Sequence, residues 1–96
     1  MYKRKLKDII KKYGVKTQIK YWATEVQELN EAIIEYEMQK SKEQYEHIVE
    51  ELADNLVMLN QIRYFYNIDE DKLVKIMKQK IDRQIERIKN ENNIRN

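Results

Sequence analysis

Ile48-Val49-Glu50-Glu51-Leu52-Ala53-Asp54-Asn55-Leu56-Val57-Met58-Leu59 reads as one wall of a helical core in which acids stand where the apolar surface should continue. At about 100° per residue, Ile48, Leu52, Leu56 and Leu59 form one stripe, and Glu51 falls between Met58 and Ile62 on its flank. Asp54 lies about 60° further round, beside Phe65. A carboxylate inside an apolar arc costs several kcal/mol unless a partner, a proton or a metal compensates it. Glu51 therefore calls for an explanation that Glu50, on the solvent side, does not.

The same projection repeats upstream, in Trp22-Ala23-Thr24-Glu25-Val26-Gln27-Glu28-Leu29. Val15, Ile19, Trp22, Val26, Leu29 and Ile33 make the stripe, Glu25 falls between Ala32 and Tyr36, and Glu28 sits further out beside Tyr21. Each helix thus carries an acidic pair on the same edge of its apolar face. An antiparallel hairpin is related to itself by a two-fold axis, which leaves both acidic edges on one side; parallel helices would set them on opposite sides. Because the rise per residue is constant along both arms, the midpoint between the two pairs predicts the turn. It falls in the polar stretch Gln39-Lys40-Ser41-Lys42. The four carboxylates should therefore meet at one height, and carboxylate-rich, all-oxygen ligation selects Mg²⁺ or Mn²⁺ over softer metals.

The rest of the chain is consistent with a helical domain. Its 96 residues include no proline, one glycine and no cysteine, the composition of a single all-α unit without a disulfide framework or a thiolate site. No apolar run is long enough to span a bilayer and no signal-peptide pattern opens the chain, so a soluble, cytoplasmic protein without a membrane partner is expected. With 19 basic and 17 acidic residues the net charge is +2, which does not call for nucleic acid. Residues 1–20 hold eight Lys or Arg against one acid, but no recognition motif accompanies that charge. A solvated helix face is the simpler reading, and steeply salt-dependent DNA binding would be needed to displace it.

Four helices are expected. Tyr2 to Tyr13 reads as a short amphipathic cover, stopped at Gly14. Lys16 to Met38 follows, with Thr17 as a candidate cap. Ser41, with Gln44 three residues on, starts a helix to about Tyr66 through a capping-box pattern. Asp69 caps a last helix to about Asn90, whose stripe is Leu73, Met77, Ile81 and Ile88 and whose basic edge is Lys80, Arg83 and Arg87. The tail 90–96 is expected to fray. Leftover apolar residues, Val57, Tyr64, Phe65 and Tyr66 among them, suggest that a second chain completes the bundle, as a homodimer or homotetramer.

Gln18, then Glu25-Val-Gln-Glu28-Leu-Asn-Glu31-Ala-Ile, then Glu50-Glu51-Leu-Ala-Asp54-Asn-Leu, then Lys80-Ile-Asp-Arg83 together resemble the MazG-like group of all-α nucleoside triphosphate pyrophosphohydrolases. The resemblance spans about residues 15–88 and rests on the pairing of ExxE with ExxD. It implies a four-helix bundle completed by oligomerisation, and Mg²⁺-dependent hydrolysis of an NTP or dNTP to nucleoside monophosphate and pyrophosphate. It also implies that Glu25, Glu28, Glu51 and Asp54 are the metal ligands. Thr24 stands where many members carry a further acid, and Ala53 where many carry glycine.

Chemistry assigns further roles. Glu28, with Glu51 as the other catalytic candidate, would take the proton from an attacking water. Lys80 and Arg83 would neutralise phosphate charge. Trp22 would stack on a base, and Gln18 and Asn55 would hydrogen-bond base, sugar or water. The competing readings are interhelical salt bridges for Glu25 and Glu51, solvated positions for Glu28 and Asp54, a core tryptophan, interhelical contacts for the two amides, and rim residues for Lys80 and Arg83. His47 reads as a surface residue, having no zinc-pattern partner. The competing function is a non-enzymatic helical adaptor acting through dimerisation, which has no reason to align two acidic pairs.

Overall fold

Four helices follow one another through short connections: α1 (Lys3–Tyr13), α2 (Val15–Met38), α3 (Lys42–Phe65) and α4 (Glu70–Arg95). The computed structural model describes residues 2–95, with side chains to residue 92, and no strand occurs among them. The outer part of the tail expected to fray therefore lies outside the described residues, while α4 itself continues to Arg95. Among the described residues no helix is long and apolar enough to cross a membrane.

The helix ends follow local chemistry. Ser41 Oγ accepts from the Gln44 amide at 3.1 Å, satisfying one of the free donors that begin α3. Asp69 Oδ2 does the same for the Lys72 amide at 2.9 Å. Gly14, at φ 87°, makes the corner between α1 and α2 in a conformation that a side chain disfavours. Helix α2 starts immediately after this glycine, so Thr17 lies inside the first turn and is not the cap expected of it. Asn67 takes a left-handed φ of 52°, and the Ile68 amide donates back to the Arg63 carbonyl, closing α3.

Helices α2 and α3 form the antiparallel hairpin, turning through Gln39, Lys40 and Ser41 where the register requires. Their seam differs from the one the stripes predict. Gln18, Glu25 and Ala32 are buried on α2, and Asn55, Met58 and Gln61 on α3. By contrast Ile19, Ile33, Leu52, Leu56 and Leu59 are exposed, Leu56 by 50%. The helices meet along the acidic edge, and of the stripes only Val15, Trp22, Val26, Leu29 and Ile48 are even half-buried. Hydrogen bonding and a small contact residue account for this choice. Ala32 is fully buried and permits close approach, Gln18 Nε2 donates to Gln61 Oε1 at 2.8 Å, and Asn55 Nδ2 donates to the carbonyls of Glu25 and Glu51 at 2.9 and 2.8 Å. One amide nitrogen thus ties the backbones of both acid-bearing turns together. The stripes, about 100° away on each helix, become one shared apolar face on the opposite side.

Helix α1 packs on α3 and α2 through buried Leu6 and Ile10. Among the described residues, helix α4 packs against none of the other three. The radius of gyration of 17.5 Å reflects this, since a compact chain of this length would have about 12.5 Å. The four-helix bundle is therefore not formed within one chain. Its buried apolar residues are Leu6, Ile10, Ala32 and Met58 alone among those described, a small core for a chain of this length.

Asn55→Ala removes both interhelical hydrogen bonds at a position only 4% exposed. Urea denaturation should show a loss of about 2 kcal/mol, the sum of two neutral bonds of about 1 kcal/mol each. A loss within experimental error would mean that the seam is held elsewhere.

Candidate metal centre

Glu25, Glu28 and Glu51 each direct one carboxylate oxygen into a common region, the three lying within 4.8 Å of one another. The hairpin register places them. Glu25 and Glu51 flank the Asn55 clamp within the seam, and Glu28 stands one turn beyond Glu25 on the open side. Burial divides them: Glu25 is 4% exposed, Glu51 half-buried and Glu28 exposed. Neither Lys nor Arg pairs with any of the three among the described residues, which leaves the salt-bridge reading of Glu25 and Glu51 without its cation. One oxygen of each, Glu25 Oε2 and Glu51 Oε2, is buried with no hydrogen-bond partner there.

Carboxylates gathered this closely repel one another. Two buried acceptors without donors add a desolvation cost. Three converging carboxylates, two of them with unsatisfied oxygens, form a donor set suited to a hard divalent cation. Oxygens of one octahedral shell stand about 3–4 Å apart, a little closer than the 4.8 Å that bounds this group.

Of the fourth expected ligand the structure makes a neighbour. Asp54 lies outside the three-acid group and lines the adjoining cavity with Ile9, Tyr13, Gln18, Tyr21 and Gln61. This cavity, of about 440 Å³, opens where α1 leans over the acidic side of the hairpin. Gln18 contributes to its wall while donating to Gln61. Asn55 is occupied by two backbone carbonyls, so both amide hydrogens serve the fold and not a ligand. Trp22 is half-buried beside the seam, its indole N–H buried without a partner among the described residues. Lys80 and Arg83 are not brought to the carboxylates, because α4 stands clear of the hairpin.

Two residues join the site that the periodicity did not single out. His47 Nε2 lies 3.3 Å from Glu51 Oε1, on the oxygen other than the unpartnered one. Tyr21 has its phenol pKa raised above 10.0, first because the Glu25 carboxylate accepts from its hydroxyl and then because that negative charge opposes the phenolate; burial, Asp54 and Glu28 add smaller contributions. Both lie four residues before an acid, so helical i, i+4 neighbourhood was the available signal.

Comparison with models of protein families, with curated proteins and with solved structures finds no match.

Removing one buried charge should relieve the metal-free protein. Glu25→Gln is expected to raise the unfolding free energy in the presence of chelator, because it removes one of the gathered charges. A lower stability for the variant under those conditions would contradict the repulsion. Tyr21 offers an independent readout by alkaline absorbance titration, with Tyr21→Phe identifying its share. Its phenol should ionise above pH 10.0 in the wild type and closer to 10.0 in Glu25→Gln. Since the folded pKa is the higher one, the stability Tyr21 contributes is held below the ordinary tyrosine range and lost as pH rises through it.

Proposed function

We propose that the chain is a MazG-like enzyme that hydrolyses a nucleoside triphosphate, ribo or deoxy, to nucleoside monophosphate and pyrophosphate with Mg²⁺ as its metal and Mn²⁺ as a substitute. The observation that carries this reading is the pair of buried, unpartnered carboxylate oxygens on Glu25 and Glu51, converging with Glu28 beside an open cavity. Glu25, Glu28 and Glu51 would hold the ion, and Asp54 would complete the set from the cavity side. When bound, Mg²⁺ supplies charge neutralisation for the polyphosphate and lowers the pKa of a bound water.

The chain's own groups account for the remaining roles. Glu28, the exposed acid, or whichever carboxylate does not bind the metal directly, would accept the proton of the attacking water. Glu51 is oriented through its Oε1 by His47, leaving Oε2 for the ion. The cavity is within the size range of small-molecule sites, about 300–1,000 Å³, and Tyr13 and Tyr21 offer aromatic surface for a nucleoside. The Tyr21 hydroxyl, kept protonated, is a donor at the boundary between cavity and carboxylates.

The exposed apolar surfaces favour a second reading, a helical adaptor that works through dimerisation. Such a module leaves the unpartnered buried acids without a purpose, and metal dependence separates the two.

The test is pyrophosphate release across a panel of ribo- and deoxynucleoside triphosphates, with Mg²⁺ and with chelator. The wild type should release pyrophosphate from at least one nucleotide only when metal is present. Glu51→Gln should lose about 100-fold or more, the scale of removing a proton-transfer or charge-stabilising group. Full activity in that variant would overturn the site, and metal-independent silence across the panel would favour the adaptor.

A further inference from the structure

We infer that the face of α1 turned away from the candidate metal centre, together with the C-terminal end of α3, binds single-stranded nucleic acid. This inference is independent of the hydrolytic reading. The charge of residues 1–20 does not by itself call for such a partner; the fold adds the arrangement.

Three hollows run into one another on this side of the protein. Lys3, Arg4, Lys7 and Lys11 line the first with Asp8. Lys7 and Lys11 also line the second, with Ile10, Tyr64, Phe65 and Asn67. Tyr64 and Asn67 pass into the third, where Lys3 recurs and Arg63 joins them. Because Lys7 and Lys11 stand about 160° round α1 from Ile9, the strip lies on the far side of α1 from the cavity that Ile9 lines.

The strip carries uncompensated positive charge. Its five cations, Lys3, Arg4, Lys7, Lys11 and Arg63, face three acids, Asp8, Asp69 and Glu70. None of the five is in an ion pair among the described residues. Asp69 is engaged in capping α4 through the Lys72 amide, and the second hollow holds no acid at all. Helix α1 has no acid in its first turn and no side-chain cap, so Lys3 and Arg4 reinforce the positive end of its dipole. A phosphate group would relieve both.

Shape and aromatic surface select the ligand. Lys3, Lys7 and Lys11 follow one another at steps of about 6 Å along α1, and three joined hollows suit an elongated polyanion, not a single phosphate. Phe65, 43% exposed, lines the same hollow as Lys7 and Lys11. Tyr64 beside it already takes Lys3 Nζ at 5.9 Å and the Arg63 guanidinium at 4.6 Å from its ring centroid. Cations that track a phosphate chain beside an aromatic ring free to stack on a base are the chemistry of single-strand binding. An anionic membrane fits less well. Leu6 and Ile10 of α1 are buried in the fold and Ile9 faces the cavity, which leaves the basic face without an apolar side chain to insert.

The test is fluorescence anisotropy of a labelled single-stranded oligonucleotide of about 16 nucleotides, titrated with the full chain over a range of salt. The wild type should bind, with log K falling linearly against log salt by about 0.7 per neutralised phosphate. Lys7→Gln/Lys11→Gln should weaken binding at least tenfold and flatten that slope by about 1.4, the share of two contacts. Phe65→Leu should weaken it by about fivefold or more at an unchanged slope. Both variants should keep the wild-type helical circular dichroism, and Lys3→Gln/Arg4→Gln repeats the charge arm at a second place on the strip. A strand of the same length without bases should bind at least about fivefold more weakly. Absence of binding at low salt overturns the proposal. So does an equal loss in Lys75→Gln/Lys89→Gln on α4, or equal competition by polyglutamate or by the strand without bases.

Discussion

Two glutamates held inside a helix–helix seam are the constraint on which the rest of this structure turns. Glu25 and Glu51 are brought together by Asn55, whose single amide nitrogen spans the carbonyls of both. The backbone geometry that joins the helices is thus the geometry that crowds their charges. Small domains are stable by only about 5–15 kcal/mol, so carboxylates gathered this closely without a paired Lys or Arg among the described residues weigh on the fold. Among the described residues no lysine or arginine pairs with either glutamate.

The placement of polar groups follows from the same constraint. The seam buries Gln18, Glu25, Asn55 and Gln61, as many polar residues as the described chain buries apolar ones. Each amide there is hydrogen-bonded, the Gln18–Gln61 pair across the seam and Asn55 to both helices, so the polar seam is held by directed bonds. Only carboxylate oxygens and the Trp22 indole remain buried without partners among the described residues. The apolar stripes, displaced to the far side, are left for other surfaces to cover.

Much of this was legible in the residues, and the rest was hidden for identifiable reasons. Constant helical rise predicted the turn at Gln39 to Ser41 and the common height of Glu25, Glu28 and Glu51. Capping chemistry predicted Ser41 and Asp69. Periodicity identified the stripes through Ile19 and Leu56 correctly as apolar but could not say what they face. A stripe that awaits another surface has the same pattern as one packed within its own chain. The seam was set instead by amides and by Ala32, whose small side chain and full burial carry no periodic signal. Asp54 falls outside the group because it lies further round the helix than Glu51, beside the cavity. His47 has no zinc-pattern spacing, and its partner, Glu51, stands one helical turn ahead.

The most direct measurement is the binding of Mn²⁺ itself, followed by the loss of the free-ion electron paramagnetic resonance signal on adding folded protein. The account predicts saturable binding that Mg²⁺ displaces and that both Glu25→Gln and Glu51→Gln abolish or weaken severely. An undiminished free-ion signal with the wild type, or equal binding in the two variants, would contradict it.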